Sequence, residues 1–153
     1  MNDPEIVQFT ESRWKNYTMD DLVNFVTEIN NSEFDFMYGI YLNENNKYIG
    51  NVKIGNINPH HGFAELGIIL GDKSEWGKGY ATEAIKLAIK IAFDELGLNK
   101  LTAGAYENNI SSIKALTKAG FTLCGIYKNH CQFQEERVNV VMLEIENNRI
   151  KEK

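Results

Sequence analysis

Proline is nearly absent: Pro4 and Pro59 are the only two in 153 residues, so no proline-rich linker divides the chain. Cysteine is as scarce. Cys124 and Cys131 stand seven apart, form no CxxC and have no metal-ligand spacing to His60, His61 or His130, which argues against a disulfide framework and a metal site. No run of about 18 apolar residues occurs, and "MNDPEIVQF" lacks the charged-then-apolar layout of a signal peptide, so no membrane partner is expected. Basic charge is also short. Lys and Arg number 16 against 21 Asp and Glu, a formal −5, and the basic residues are scattered, which leaves nucleic acid no continuous positive track. These absences predict one soluble, cytoplasmic domain with free thiols and a single apolar core. The acidic balance mildly favours a cationic acceptor, and ordinary solubility charge explains it as well.

What is present is clear periodicity. "TMDDLVNFVTEINN" places Thr18 three residues before Asp21, a relative of the capping box, with Leu22, Phe25, Val26 and Ile29 at helical spacing, predicting a helix over 19–30. "DFMYGIYL", "NENN" and "KYIGNVKIGNI" read as a hairpin, and "FAELGIIL" (63–70) as a third strand. From Ala81 a nearly unbroken apolar stripe runs to Leu96, with Gly97 as a left-handed cap. A strand "KLTAGAY", a helix over 111–119 closed by Gly120, and two strands "FTLCGIY" and "RVNVVMLEI" follow; the 147–153 tail is expected to fray.

Between the third strand and the long helix lies "SEWGKGYA", Ser74 to Ala81. A nucleotide P-loop needs four residues between its first glycine and Gly-Lys, then Ser or Thr for magnesium; here five residues separate Gly71 from Gly77, and Gly79 follows Lys78. A dinucleotide fingerprint needs Gly or Ala where Thr82 stands, after a parallel strand. The remaining phosphate reading is a diphosphate held by successive backbone N–H groups at a helix start, which needs the strand, short glycine loop and long helix found here. A glycine-rich turn with no ligand is the plain alternative.

The segment "WGKGYA" resembles the Q/R-x-x-G-x-G/A signature of the GNAT superfamily of acetyl-CoA-dependent N-acetyltransferases, with Trp76 where Gln or Arg is usual. Trp followed by "GKGYATEA" is similar to the branch of ribosomal-protein (RimJ/RimL-like), polyamine and amino-sugar acetyltransferases, as is "NNISSIKALTKAGF" further on. The resemblance covers about Ile49 to Glu144 and implies an α/β fold: a mixed sheet with an antiparallel meander, a V-shaped splay at the cofactor and helices on both faces. It implies backbone contacts to the diphosphate from Trp76, Gly77, Lys78, Gly79, Tyr80, Ala81 and Thr82. Ile68, Ile69 and Leu70 would lie along the pantetheine, with the N–H of Ile69 as oxyanion donor, and Asn109 and Ser112 would sit beside the same arm.

The chemistry implied is acetyl transfer from acetyl-CoA to a primary amine in a ternary complex, with no metal. Glu65 in "FAE" is similar to the general base of histone acetyltransferases; a strand residue facing solvent is its alternative, and His60 or His61 acting through water another. Many members carry a tyrosine acid seven residues after the motif asparagine. Here that position is Leu116, which leaves Ser112 or Tyr127 to assist, Tyr127 being expected to pack as a strand aromatic and Cys124 to be a small buried thiol. The opening "NDPEIV" resembles an internal stretch of the branch, implying that 1–153 is one domain lacking the family's first strand and helix, with the strand near Phe36 an exposed edge. A homodimer through an edge or the last strands, and a non-catalytic CoA-binding module as the alternative to an enzyme, are further expectations.

Overall fold

The computed structural model describes residues 1–151, with side chains through Arg149. Pro4 opens a short α1 (Pro4–Val7), its pyrrolidine suiting a first-turn position that needs no N–H donor, and a 3₁₀ turn over Glu11–Trp14 follows. Thr18 and Asp21 close a reciprocal capping box on α2 (Met19–Asn31). Only Ile29 of that helix is buried. β1 (Phe36–Tyr41), β2 (Tyr48–Asn58) and β3 (Phe63–Leu70) form the antiparallel meander read from the sequence.

α3 (Tyr80–Lys90) then crosses to β4 (Lys100–Tyr106), and α4 (Ile110–Ala119) leads to β5 (Thr122–Phe133) and β6 (Glu136–Glu146). The six strands stand in the order β1-β2-β3-β4-β6-β5, all antiparallel except the β3–β4 pair. β1 is therefore an edge, as expected. The core lies between one sheet face and the helices: Val52, Ile54, Ala64 and Leu66 pack against Ile85 and Ala88 of α3 and Leu116 of α4. Burying each large aliphatic there contributes about 1.5–3 kcal/mol. A smaller cluster of Tyr106, Val138 and Val140 on β4 and β6 receives Phe9, which stacks on Phe133 at 5.2 Å.

Three regions depart from the sequence reading. The long helix is α-helical only to Lys90 and becomes a π-helical stretch over Ile91–Glu95, where Leu96 N–H reaches back to Ile91 C=O at 3.0 Å; the wider turn keeps Ala92 fully buried while Ile91, Phe93 and Leu96 all reach the core. β5 and β6 run longer than their apolar patterns. Register breaks at Leu123/Gly125 and Tyr127/Cys131, with Asn129 at φ 48°, absorb the extra residues and let the arm continue. The tail does not fray at its start: Asn147 is buried and bonds Asn99 and Leu98 carbonyls, and α5 (Asn148–Lys151) follows; 152–153 lie outside the described residues.

Candidate active site

The β3–β4 ladder is three residues long, Phe63↔Lys100 to Glu65↔Thr102. Beyond it β3 stays with β2 up to Gly50↔Leu70, while β4 stays with β6 up to Tyr106↔Val140. The two strands part between these limits, so Leu66 to Leu70 faces Ala103 to Tyr106 across an opening. Which backbone groups look into it follows from strict alternation in the β2–β3 ladder. Gly71 N–H donates to Ile49 C=O at 2.9 Å, and the register pairs Asn51 with Ile69, so Ile69 spends its N–H and C=O on β2. Ile68 and Leu70 then direct theirs into the opening. Their parity corrects the expectation that Ile69 supplies the oxyanion donor.

At the C-terminal end of β3, Asp72 caps a 3₁₀ turn over Lys73–Glu75, and the Trp76 indole N–H donates to Leu70 C=O at 3.0 Å. Gly77 and Gly79 adopt φ of 75° and 86°, a left-handed conformation that a side chain strains, and open space lies where a Cβ would stand on either. Gly79 is the N-cap of α3 and offers no side-chain cap, so the first N–H groups of the helix, from Tyr80, Ala81 and Thr82, have no side-chain acceptor among the described residues. An open glycine approach, uncapped N–H groups and the positive helix end, equivalent to about half an elementary charge, fit a bound diphosphate. Lys78 is engaged from the other side. Its Nζ pairs with Glu75 at 2.9 Å, which raises the lysine's pKa and lowers the carboxyl's.

Glu65 is exposed at the last rung before the strands part, and its Oε2 accepts from Asn56 Nδ2 at 3.0 Å. Gly55 is its partner on β2 and Gly67 its neighbour on the same face of β3, so no side chain at those positions crowds the carboxylate. Asn109 caps α4: its Oδ1 accepts from Ser112 N–H at 3.4 Å, while its Nδ2 makes no hydrogen bond among the described residues. Ser112 is half-buried in the first turn of α4. Leu116 is 2% exposed in the core and offers nothing to a leaving group.

His60 and His61 sit in the turn before β3, their backbone N–H groups bonded to Asn58 Oδ1 at the end of the strand opposite the glycine loop. Two other expectations are corrected. Tyr127 is 52% exposed and tilts against His130 instead of packing on the core. Cys124 is exposed where a buried thiol was expected, because it stands at the register break of the edge strand; local desolvation, with Glu144 nearby, pushes its pKa up, which disfavours the thiolate. Among the described residues no cluster of three or more His, Cys, Asp or Glu side chains is arranged to hold a metal, and no helix is long and apolar enough to cross a membrane.

Sequence reasoning missed one part-buried polar cluster around the buried Tyr106. Arg13 donates to the Tyr106 hydroxyl at 2.7 Å and to Gln132 C=O at 2.6 Å, and Tyr106 donates to Glu11 at 2.9 Å. Nothing local in the sequence links residues 93 and 119 positions apart.

A sheet that opens beside a glycine loop and an uncapped helix start suits a protein that seats a diphosphate-bearing acyl carrier, and similarity to known proteins points the same way. Residues 1–122 match the family described as an acetyltransferase (GNAT) domain, and the chain belongs to that family of acetyltransferases. It is 27% identical over 125 residues to p20, an uncharacterized N-acetyltransferase of Bacillus licheniformis, covering 82% of this chain and 70% of that protein. It is 35% identical over 97 residues to YjcK, a probable N-acetyltransferase of Bacillus subtilis strain 168, covering 63% of this chain and 53% of that one. The fold superimposes on a spermidine N-acetyltransferase from Vibrio cholerae, solved with CoA and spermine, at a TM-score of 0.85 with 20% identity, covering 96% of this chain and 85% of that one. A GNAT-family acetyltransferase from Bacillus anthracis gives 0.79 and 21%, covering 95% and 83%.

Proposed function

We propose that the chain transfers acetyl from acetyl-CoA to a primary amine by direct attack in a ternary complex. The observation that carries this is the parting of β3 from β4 immediately before an exposed, glycine-bearing helix start. In this reading the diphosphate lies against the backbone of Gly77 to Thr82, between Trp76 and Tyr80. The pantetheine runs along Ile68 to Leu70 as an added strand would, with Asn109 Nδ2 and Ser112 alongside. An N–H of Ile68 or Leu70 polarises the thioester carbonyl.

An alkyl amine with a pKa near 10.4 stands about three pH units from its nucleophilic form at neutrality, equivalent to about 4 kcal/mol. Glu65 removes that proton: Asn56 steadies one oxygen, and the other has no hydrogen bond among the described residues. Attack forms the C–N bond, the tetrahedral oxyanion collapses, and the C–S bond breaks with the electron pair leaving on sulfur, while the attacking nitrogen releases its second proton to solvent to give the neutral amide. The thiolate, with a pKa around 8.5, departs without strong acid help, and Ser112 offers a hydrogen bond.

The "WGKGYATEA" segment favours the RimJ/RimL-like branch, and the acidic balance favours a polyamine or other cationic acceptor over a neutral one. The solved polyamine enzyme shares the fold, not the acceptor evidence. A single domain over 1–153, a cytoplasmic location suited to acetyl-CoA and free thiols, and a homodimer through edge β1 or β5 complete the proposal. Calorimetric titration with CoA, followed by thiol release on a panel of polyamines, amino sugars and peptide amino termini, tests it. Tight CoA binding with no turnover on any acceptor would assign a binding module; no CoA binding would remove the reading.

A further inference from the structure

Lys47 lies in the turn between β1 and β2, far in sequence from the glycine loop. Its Nζ stands 2.7 Å from Asp72 Oδ2 and 3.3 Å from Glu75 Oε1, and the second oxygen of Glu75 holds Lys78 Nζ at 2.9 Å. The four side chains form one chain of charge: lysine, two carboxylates, lysine. Glu75 is 8% exposed and so depends on these partners. On the other side of the loop Lys73 pairs with Asp3 and Glu5, each at 2.9 Å. Asp72 also accepts from Ser74 N–H and Oγ, which fixes the turn, and Lys47 with these bonds holds its carboxyl down at about 2.

We propose that Lys47 is a positioning residue for the cofactor's diphosphate, acting through Asp72 and Glu75 and not by touching the phosphates. This rests on the acetyl-CoA reading above. Two physical reasons require such a device. Backbone N–H groups bind an anion well only if their loop is held in place before the ligand arrives, since ordering it on binding subtracts from affinity. And two carboxylates one turn away from a diphosphate would repel it unless neutralised. Lys47 and Lys78 supply two positive charges against Asp72 and Glu75, so the group is neutral; without Lys47 it carries one net negative charge beside the anion site.

The test compares Lys47→Met, Lys47→Arg, Asp72→Asn/Glu75→Gln and the triple variant by CoA calorimetry, acetyl transfer kinetics and hydrogen exchange of residues 71–79. Lys47→Met is expected to raise the CoA Kd and the acetyl-CoA KM about fivefold to tenfold with kcat within about threefold. Lys47→Arg restores both. In the Asp72→Asn/Glu75→Gln background the same Lys47 substitution adds less than about twofold, as expected for groups that act through one another. Loop amides exchange faster in ligand-free Lys47→Met than in the wild type. An unchanged CoA Kd with unchanged exchange overturns the proposal. So does a full loss of affinity in the carboxylate-free background, or a loss that vanishes with 3′-dephospho-CoA, because either means that Lys47 touches a phosphate itself. A wild-type protein that binds no CoA defeats the acetyltransferase reading instead, and loop exchange in Lys47→Met still decides whether the clamp exists.

Discussion

Asn56 and Glu65 meet at 3.0 Å across the β2–β3 ladder because β2 bulges there: Asn56 takes φ 50°, and the register shifts between Gly55 and Asn58. The bulge swings the Asn56 amide onto a carboxylate that a regular strand would leave unheld. If Glu65 takes the amine proton, Glu65→Gln lowers kcat about 10²- to 10⁴-fold while CoA affinity stays within about twofold. Asn56→Ala, which frees the carboxylate without removing it, lowers kcat less. Equal kcat for wild type and Glu65→Gln across pH 6 to 9 removes Glu65 from the mechanism.

Tyr106 gives a pH dependence of known sign. Burial, with Glu11 and Cys131 adding to it against Arg13, pushes its phenol up to about 12 from an ordinary 10.0. Between those values the unfolded chain has released the proton and the folded chain has kept it, so stability falls as pH rises from about 10 towards 12 and is untouched by this group below 10. Urea melts at pH 9 and 11 should show the fall in the wild type, and Tyr106→Phe should lessen it, the remainder coming from the paired lysines Lys47, Lys73, Lys78 and Lys100, the part-buried Tyr38 and Tyr48, and Cys124, whose pKa values are also raised. Tyr106→Phe also loses the bonds to Arg13 and Glu11, costing about 1–3 kcal/mol at neutral pH.

The same cluster marks the limit of what the sequence discloses. β3 was legible to its ends, Phe63 and Leu70, because a short apolar run bounded by Gly62 and Gly71 leaves one register; the Thr18–Asp21 box was legible because capping is local. Arg13 on Tyr106 was not, since its partners meet only after the sheet forms. Direction within a strand was equally hidden: the residues of Ile68 to Leu70 were identifiable, but which of them face the opening depends on a hydrogen bond from Gly71 to Ile49. Nor did any pattern announce Lys47, whose role comes from a turn folded against a loop.

Gly77 and Gly79 should separate backbone strain from binding. Alanine at either forces a left-handed conformation costing about 1–2 kcal/mol, while the surrounding space is open, so no steric clash adds to it. Thermal unfolding should report that modest loss. If the diphosphate lies on this loop, CoA affinity should fall further than stability does, because the added methyl points into the open space the anion would occupy and the amides turn with the strained φ. A variant that loses stability but keeps its CoA Kd would show that the glycines serve the turn alone.

Leu116 decides whether an acid is missing or merely relocated. It packs in the core of α4 with Phe121 and Leu101, 2% exposed, so a tyrosine there has no room and its hydroxyl no partner. Overpacking costs about 1–3 kcal/mol, and an unsatisfied buried hydroxyl about as much again. Leu116→Tyr is therefore expected to lower Tm by several degrees, at about 2–4 °C per kcal/mol for a domain of this size, without raising kcat. Because no group at this position must stay protonated, kcat should rise with pH to a plateau and show no descending limb below about pH 9. A Leu116→Tyr protein that melts like the wild type and turns over faster would place residue 116 at the sulfur, and the unassisted departure of the thiolate would have to be given up.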